Sequence, residues 1–512
     1  MSDADHQAAL KKAIIKLKCE EDHLFFTRYF FKLREGGKFI INWHQIVISR
    51  YLQKIIDGEI KNLLINISPG SGKTDLAVVN FMARGLAINP HSRFLHISAS
   101  DDLALLNSKK ARDIVSMDEY QELWPTKIAT DSSAQKRWNV MLDDKTAGGV
   151  YAVSLGGQIT GFRAGRMFDG FNGALIIDDP LKADEAFQKA AKQKANRRLV
   201  STVKSRKARP DTPVIVIMQR LAEDDCTAFI KDGNLDGDWT FLNIPALVTM
   251  DYLKSIGLDQ DIIDMVDSSD QDDKGRFSYW PFKEPLDQLL KMESGSLSDK
   301  DGASVSRFVF ASQYMQNPTA MGGNIIKGEN FKRYDLLPKM KHRAIYGDTA
   351  QKTKERNDYS VFECWGFGED GGAYLIDLVR GKWEAPDLKK RFVDFWNKHA
   401  AIKSEGAGRL RIAGIEDKAS GTGLIQDIKR DASIPIKAIQ RNTDKLTRVM
   451  DILSYIEAGY VYLPRNADFV SDFIAECEAF SADNTHAHDD QIDPMCDAIT
   501  ENLQKKTGSF YV

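Results

Sequence analysis

A glycine-rich turn between an apolar strand and a helix constrains the fold of this chain more than any other segment. It follows the strand-like residues 63–67 and opens a predicted helix, and its residues are Pro69, Gly70, Ser71, Gly72, Lys73 and Thr74. Glycines let backbone N–H groups approach phosphate oxygens, and the helix N-terminus adds a favourable dipole. Lys73 can then reach the β and γ phosphates of a nucleotide, and Thr74 can bind its Mg²⁺. The turn predicts a P-loop, although Ile67 stands where the full pattern has its first glycine; a chance glycine-rich turn is the alternative.

Two carboxylates end another apolar strand about a hundred residues further on, at residues 175–180. An apolar strand followed by two acids is typical of a Walker B element. Asp178 is predicted to hold Mg²⁺ through water, and Asp179 to orient the attacking water, at a position where glutamate is more common. A polar strand end that caps the next helix is the alternative.

Short apolar segments alternate with helical ones through the first half of the chain, at residues 63–67, 93–97, 173–177 and 213–218. Strands that are apolar throughout are typical of a parallel sheet with helices on both faces. With the P-loop, this pattern predicts an α/β fold of the ASCE P-loop NTPase type.

A second alternation begins at Arg343, where three strands come in succession before strands and helices alternate. This order predicts a ribonuclease-H-like mixed sheet. A chain of 512 residues is longer than one hydrophobic core supports. We therefore expect a P-loop ATPase core at residues 1–232, a small lid or linker subdomain at 233–335, and a ribonuclease-H-like nuclease domain at 336–512.

The composition is that of an ordinary globular protein, with a formal net charge of −3 and 43% hydrophobic residues. No run of about 18 apolar residues occurs, and the first residues lack the basic-then-apolar order of a signal peptide. We therefore expect a cytosolic protein. The five cysteines include no Cys-x-x-Cys pair, so they are predicted to be reduced packing residues. Seven aspartates at 259–273 lack the order of a calcium loop and predict a solvated acidic face.

Nucleotide hydrolysis also requires a cation for the transition-state charge. Arg163 and Arg166 are the candidates for an arginine finger, and each could instead form a structural ion pair. Ten lysines and arginines at residues 182–209 form the most basic segment. This segment could follow a phosphate backbone or could be a solvated helix face.

The second half carries a series of carboxylates at element ends. Asp348 ends the first strand of the mixed sheet, Glu416 ends a later strand, and the segment from His488 to Asp493, with Asp489 and Asp490, begins the last helix. Carboxylates from two strands and a helix can converge on two Mg²⁺ or Mn²⁺ ions about 3.5–4 Å apart, which activate water and stabilise a leaving oxygen. Helix capping is the alternative for each acid alone. The sequence thus predicts a metal-dependent nuclease with Asp348, Glu416 and Asp490 as its catalytic acids. Asp489 is predicted as a further metal ligand, and either Asp489 or Asp490 could be the main third ligand.

Weaker candidates lie near this series. Asp358 is considered as a fourth ligand, whereas His486 and His488 are interpreted as exposed loop histidines rather than metal or phosphate ligands.

With these motifs in order, the chain resembles the large terminase subunit of tailed bacteriophages over nearly its whole length. The Trp43-His44-Gln45 segment is similar to the family's adenine-site motif, and residues 214–220 are similar to its coupling motif. The resemblance implies that Trp43 and Gln45 contact the adenine, that Gln219 couples hydrolysis to movement, and that Arg163 or Arg166 is the finger. Many relatives carry an arginine inside the P-loop, and this chain does not, which favours a finger from outside the loop or from a neighbouring subunit.

The same resemblance implies ATP and Mg²⁺ as cofactors, with Mn²⁺ as an alternative ion at the nuclease site. Its implied partners are double-stranded DNA, a small terminase subunit and the portal protein of a procapsid. It also implies a homo-oligomeric ring when docked, with a monomer in solution as an alternative, and a location in the host cytoplasm and transiently at the portal vertex. The implied activity is ATP-driven DNA packaging with metal-dependent DNA cleavage.

Two other functions remain open at this point. A superfamily 2 type helicase with an accessory nuclease predicts further helicase motifs after residue 220, where the chain instead continues into an aspartate-rich segment. A non-enzymatic nucleotide-binding scaffold predicts missing carboxylates, and none of the expected acids is missing.

Overall fold

The computed structural model describes residues 3–129, 136–157, 159, 161–295, 306–318, 325–350, 359–418, 420–480 and 489–503. The chain divides into two compact units. The first unit comprises Met1–Leu289 and Ala311–Thr319, and the second comprises Leu290–Phe310 and Ala320–Val512. Of the helices in the described residues, none is long and apolar enough to cross a membrane.

The first unit contains helices and strands in alternation. Its helices are α1 (Asp3–Glu21), α2 (His23–Glu35), α3 (Trp43–Ile56), α4 (Phe81–Ile88), α5 (Asp101–Val115), α6 (Asp118–Leu123), α7 (Lys189–Ser205), α8 (Cys226–Lys231), α9 (Met250–Ser255) and α10 (Gln260–Ile263). Its strands are β1 (Asn62–Ile67), β2 (Arg93–Ser98), β3 (Lys127–Ile128), β4 (Arg137–Leu142), β5 (Lys145–Ser154), β6 (Leu175–Asp178), β7 (Val214–Met218), β8 (Trp239–Ile244), β9 (Leu247–Val248) and β10 (Phe277–Ser278). A π-helical segment, Asp75–Asn80, follows the P-loop and leads into α4.

The main sheet of this unit has eight strands in the order β3-β4-β5-β2-β6-β7-β1-β8. From β5 to β8 all neighbours are parallel, and β4 pairs antiparallel with β5. The P-loop follows β1 and the predicted Walker B acids end β6, with β7 between them. This inserted strand is the ASCE arrangement, so the predicted fold of the first half is confirmed. Strand β8 lies beyond residue 232, and the predicted division into three parts stays a prediction.

The parallel strands are covered on both faces, which explains why their sequences are apolar throughout. All six residues of β1 and all five of β7 are buried. One core cluster includes Leu64, Ile97, Ile177 and Val216 from four neighbouring strands. Continuous apolar strands therefore gave a correct signal for the parallel sheet.

The second unit begins within α11 (Leu286–Ser294). Its remaining helices are α12 (Arg307–Val309), α13 (Ala385–Ala400), α14 (Ser420–Asp431), α15 (Lys445–Glu457), α16 (Val470–Ala479) and α17 (Ile492–Asn502). Its strands are β11 (Lys332–Tyr334), β12 (Met340–Asp348), β13 (Ser360–Gly368), β14 (Ala373–Gly381), β15 (Arg409–Glu416), β16 (Ile436–Ile439) and β17 (Val461–Pro464).

The sheet of the second unit is mixed, with seven strands in the order β11-β17-β14-β13-β12-β15-β16. Strands β12, β13 and β14 form an antiparallel meander, and β15 and β16 continue the sheet in parallel from β12. All nine residues of β13 are buried. The three successive strands followed by crossover helices confirm the ribonuclease-H-like sheet predicted from the sequence.

Three smaller predictions concern surface and packing residues. All five cysteines are buried with free thiols, as predicted. In the aspartate-rich segment, Asp259 and Asp261 form ion pairs with Arg50 and are largely exposed, which agrees with a solvated acidic face. In the basic segment, helix α7 buries four residues, among them Leu199 and Val203.

Candidate active sites

The P-loop meets the two predicted Walker B acids at the carboxyl ends of their strands. Thr74 Oγ1 donates a hydrogen bond to Asp178 Oδ2 at 3.0 Å. Lys73 Nζ lies 3.3 Å from Asp179 Oδ1 and also donates to Gln219 Oε1. Because β1, β6 and β7 are parallel, their ends meet at one sheet edge, which is where α/β sheets bind ligands. Five predicted residues therefore converge at one point.

Asp178 has the surroundings of a metal-linked carboxylate. Its side chain is buried, and burial together with the charge of Asp179 raises its pKa to about 7, although Lys73 and the Thr74 hydroxyl act in the opposite direction. Its Oδ1 atom finds no hydrogen-bond partner among the described residues. A buried acceptor in this position fits the water shell of a nucleotide-bound Mg²⁺.

The backbone of Asp179 is strained. It has a φ of 43°, a left-handed conformation that is uncommon for residues other than glycine. The peptide is held there because its N–H donates to the carbonyl oxygen of Ile217 at 2.8 Å. Strain of this kind is concentrated at functional sites.

Several residues that support the P-loop were missed as site residues in the sequence. His44 Nε2 lies 3.1 Å from the carbonyl oxygen of Ser71, and Ser68 Oγ donates to Tyr279 Oη at 2.9 Å. Lys283 Nζ donates to the carbonyl oxygen of Pro69 at 2.9 Å. His44 lies inside the segment quoted for the adenine site, whereas no local pattern marks Tyr279 or Lys283.

The two predicted adenine contacts occupy different surroundings. Trp43 is buried in α3, and its Nε1 has no hydrogen-bond partner among the described residues. The Gln45 side chain accepts a hydrogen bond from the Asn42 backbone and so closes a capping box at the start of α3. A methyl group built at Gly72 would lie 3.9 Å from Gln45 Nε2, so this amide is close to the P-loop.

The two candidate finger arginines lie near the amino ends of the parallel strands, whereas the P-loop lies at their carboxyl ends. The Gly165 N–H donates to the carbonyl oxygen of Arg93 at the start of β2, at 3.0 Å. Arg166 Nε donates to the carbonyl oxygen of His91 at 2.9 Å, whereas Arg163 is exposed. The P-loop instead follows the carboxyl end of β1, which runs in the same direction as β2. The structure therefore does not bring either arginine to the P-loop of its own chain.

In the second unit, the predicted acids Asp348 and Glu416 meet around an arginine. Arg441 Nη1 lies 3.2 Å from Asp348 Oδ2, 3.2 Å from Glu416 Oε2 and 3.4 Å from Asp493 Oδ2. Arg441 Nη2 lies 2.7 Å from Asp497 Oδ2. Strands β12 and β15 are parallel neighbours, so Asp348 and Glu416 come together at one edge as predicted.

The acid from the last helix that joins this pair is Asp493. Asp490 instead forms an ion pair with Arg380 at 3.2 Å, and Asp489 Oδ2 lies 2.8 Å from Lys445 Nζ. Lys445 Nζ also lies 3.0 Å from Asp493 Oδ2, so Asp489 borders the cluster. The structure therefore does not place Asp490 against Asp348 and Glu416. Acids at helical spacing could have indicated Asp493, because it lies one turn before Asp497 on α17.

The electrostatics of the cluster divide its acids into two kinds. Burial raises the pKa of Asp348 to about 7, despite the opposing charge of Arg441. Burial also raises the pKa of Asp497 to about 6. Asp493 is buried too, which raises its pKa, yet the charges of Lys445, Arg441 and Arg448 outweigh burial and hold this pKa below its usual value. Asp493 is therefore the most firmly ionised acid of the three.

The donor chemistry suits a hard divalent cation, since all candidate ligands are carboxylates. The arrangement does not yet form a cation site, because Arg441 lies between the acids. Among the described residues, no three acidic, histidine or cysteine side chains gather closely enough to hold one ion. The weaker candidates Asp358, His486 and His488 lie outside the described residues.

The fold and the two clusters define a P-loop ATPase unit joined to a ribonuclease-H-like nuclease unit. Residues 345–502 match a family model described as the Terminase RNaseH-like domain. The second unit therefore carries a domain of this type, and over these residues the resemblance to large terminases that the motifs predicted is confirmed. The P-loop cluster of the first unit and the matched domain of the second are the parts of an enzyme with an ATPase half and a nuclease half.

Solved structures of large terminases are among the proteins similar to this chain. The large terminase of a thermophilic bacteriophage is 10% identical, with 88% of this chain and 97% of that chain covered and a TM-score of 0.46. The large terminase of bacteriophage HK97 is 12% identical, with 95% and 99% covered and a TM-score of 0.36. The zinc-bound large terminase nuclease of a second thermophilic phage, G20c, is 14% identical, with 34% and 95% covered and a TM-score of 0.25. No curated protein matches the chain significantly.

Proposed function

We propose that this chain is a DNA-packaging motor, which hydrolyses ATP to move double-stranded DNA into a procapsid and cuts concatemeric DNA with its second unit. The observation that carries the proposal is the presence of both clusters in one chain. A P-loop with Asp178 and Gln219 lies in the first unit, and a terminase-type acid cluster lies in the second. A helicase with an accessory nuclease would require further helicase motifs after residue 220, and a nucleotide-binding scaffold would not require the full set of carboxylates that this chain carries.

In the ATPase half, Lys73 binds the β and γ phosphates, Thr74 and Asp178 hold Mg²⁺, and Asp179 orients the attacking water. Lys73 Nζ contacts Asp179 and Gln219 in the structure, so a phosphate that enters the P-loop would compete with these two side chains for its N–H groups. Gln219 contacts the same ammonium group from the end of β7. The contact supports a coupling role, because movement of Lys73 on nucleotide binding changes what Gln219 touches.

In the nuclease half, Asp348, Glu416 and Asp493 are the proposed cation ligands, with Asp489 beside them. Divalent cations bound there would activate water and stabilise the leaving oxygen of a phosphodiester. Two-metal cleavage, as predicted from the sequence, requires that these carboxylates be released from Arg441. Asp490 is proposed to hold Arg380 in place.

We further propose the three-part organisation with boundaries at residues 232 and 335. The proposed partners are double-stranded DNA, a small terminase subunit and a portal protein, with a ring of copies at the portal vertex in the host cytoplasm. A finger supplied by a neighbouring copy fits this ring, since Arg163 and Arg166 lie away from their own P-loop.

The test separates the two activities in the full chain. Lys73→Ala should abolish ATP hydrolysis and leave plasmid cutting in Mg²⁺ or Mn²⁺ intact. Glu416→Ala should abolish cutting and leave ATP hydrolysis intact. The matched control is Asp417→Ala, which removes the adjacent exposed acid and should preserve both activities. Loss of both activities in either variant, or EDTA-resistant cutting, would contradict the assignment.

A further inference from the structure

Arg441 is the residue in the nuclease cluster that the proposed chemistry does not explain. It follows β16 and is nearly buried, with 4% of its side chain exposed. Its two terminal nitrogens contact different carboxylates. Nη1 is shared among Asp348, Glu416 and Asp493 at 3.2–3.4 Å, and Nη2 contacts Asp497 at 2.7 Å. The guanidinium therefore occupies the point on which three acids from two strands and a helix converge.

The charges of the cluster are partly balanced by the protein itself. Five carboxylates belong to it, from Asp348, Glu416, Asp489, Asp493 and Asp497, against the cations of Arg441, Lys445 and Arg448. Fully ionised, these eight groups carry a net charge of −2, from five acids and three bases. A divalent cation that enters beside all three bases must overcome their repulsion at a few ångströms in a poorly hydrated site.

We propose that Arg441 and a divalent cation compete for the same carboxylates, so that Arg441 weakens metal binding and restrains DNA cutting. This inference rests on the proposed nuclease function and makes Arg441 a positioning residue of that site. A cation can gain Asp348, Glu416 and Asp493 only when Nη1 gives them up. Nη2 can keep its shorter contact with Asp497 when a cation replaces Nη1. Asp497 therefore holds the Arg441 side chain and is not required as a metal ligand.

Lys445 and Arg448 differ from Arg441 in position. Lys445 Nζ contacts Asp489 and Asp493, and Arg448 contacts Asp493 on its other oxygen, Oδ1. No contact joins either base to Glu416 among the described residues. Lys445 and Arg448 both contact Asp493 at the border of the cluster, whereas Arg441 lies between Asp348, Glu416 and Asp493. A variant of Arg448 therefore shows whether metal binding depends on where a positive charge lies in the cluster or only on the total charge of the cluster.

The experiment measures Mn²⁺ binding to the full chain without nucleotide, by calorimetry and by the electron paramagnetic resonance of free Mn²⁺. All variants carry Asp178→Asn, which removes the candidate ion site at the P-loop. Arg441→Met should bind Mn²⁺ at least about tenfold more tightly than the parent, because a unit charge leaves the centre of the site. Plasmid cutting should reach half of its maximum at a correspondingly lower Mn²⁺ concentration.

Two further variants make the result specific. Arg448→Met removes the same charge from the edge of the cluster and should change the Mn²⁺ affinity less than Arg441→Met does. Arg441→Lys keeps a cation and should bind Mn²⁺ as weakly as the parent. If Arg441→Met does not fold, Arg441→Gln removes the charge and retains a donor for Asp497.

Unchanged or weaker Mn²⁺ binding in the folded Arg441 variants would overturn the competition, and so would an equal gain in Arg448→Met. Failure of the proposed nuclease function has a different signature. In that case Mn²⁺ binds more tightly to Arg441→Met, and no variant cuts DNA at any Mn²⁺ concentration.

Discussion

Replacement of Arg163 by alanine tests whether the catalytic cation of the ATPase comes from another copy of the chain. Gly165 is hydrogen-bonded to the carbonyl group of Arg93, five residues before Ser98, and Ser98 pairs with Asp178. At about 3.3 Å per residue, this places Gly165, two residues after Arg163, roughly 17 Å from Asp178 along the strand direction. No arginine side chain spans that distance. A finger at residue 163 can therefore act only on a neighbouring P-loop.

The expected size of the effect depends on assembly. A finger contributes about 10³–10⁵ in rate, or about 4–7 kcal/mol of barrier. In dilute, monomeric protein, Arg163→Ala should leave the basal ATPase rate within about twofold of the parent, because no neighbour is present to receive the finger. In the assembled motor it should lower the rate by about 10³ or more. The affinity for ATP should be unchanged in both states.

The assay compares steady-state ATP hydrolysis in monomer, verified by sedimentation, with hydrolysis in the presence of DNA and procapsids. Mixed assemblies add an internal control. Copies with Lys73→Ala retain Arg163 and lack a working P-loop, so a mixture with Arg163→Ala copies should recover activity that neither variant shows alone. A loss of about 10³-fold in the monomer, or no recovery in the mixture, would refute the reasoning.

Three further predictions concern stability, pH and nucleotide affinity. Asp225→Ala should lower the free energy of unfolding by about 3–5 kcal/mol in urea denaturation, because this fully buried acid caps α8 and holds a buried arginine; the exposed Asp224→Ala should change it by less than about 0.5 kcal/mol. Burial raises the pKa of Glu363 well above its usual value, so the folded chain keeps a proton that the unfolded chain releases, and stability falls as pH rises above the unfolded pKa. Glu363→Gln should therefore gain stability relative to the parent between pH 5 and pH 8, and parallel curves of unfolding free energy against pH would disprove this. His44→Ala should weaken ATP binding by up to about tenfold in equilibrium titration, since a P-loop carbonyl group loses its partner; unchanged affinity would show that this contact does not shape the loop.

The acids at strand ends could be predicted from the sequence because a buried strand is visible as a run of apolar residues. Asp178, Asp348 and Glu416 each follow a run of apolar residues, and parallel neighbours bring such ends to one sheet edge. The P-loop was recognisable for the same reason, since its strand, turn and helix are contiguous. The α/β class and the mixed sheet followed from the alternation of these segments.

The side chains that contact these acids and the P-loop could not be predicted, because the contacts join distant parts of the chain. Arg441 lies 93 residues from Asp348, and Tyr279 lies 211 residues from Ser68. Neither residue stands in a local pattern with its partner. The sequence predicted Asp489 and Asp490 as ligands and did not single out Asp493, which lies in the same segment. The spacing of Asp493 and Asp497 by one helical turn was the one local signal for Asp493.

The two active sites share a physical arrangement that bears on how their activities are restrained. In each, a buried base of the same chain contacts a proposed functional acid, Lys73 at Asp179 and Arg441 at Asp348. Ligand binding must exchange these internal contacts for new ones, a phosphate for Lys73 and a divalent cation for the acids around Arg441. The first exchange affects the contacts of Lys73 with one carboxylate and one amide, whereas the second must free three carboxylates from a single guanidinium. Nucleotide binding should therefore meet less resistance than metal binding at the nuclease, and a motor built this way can hydrolyse ATP while its nuclease stays inactive.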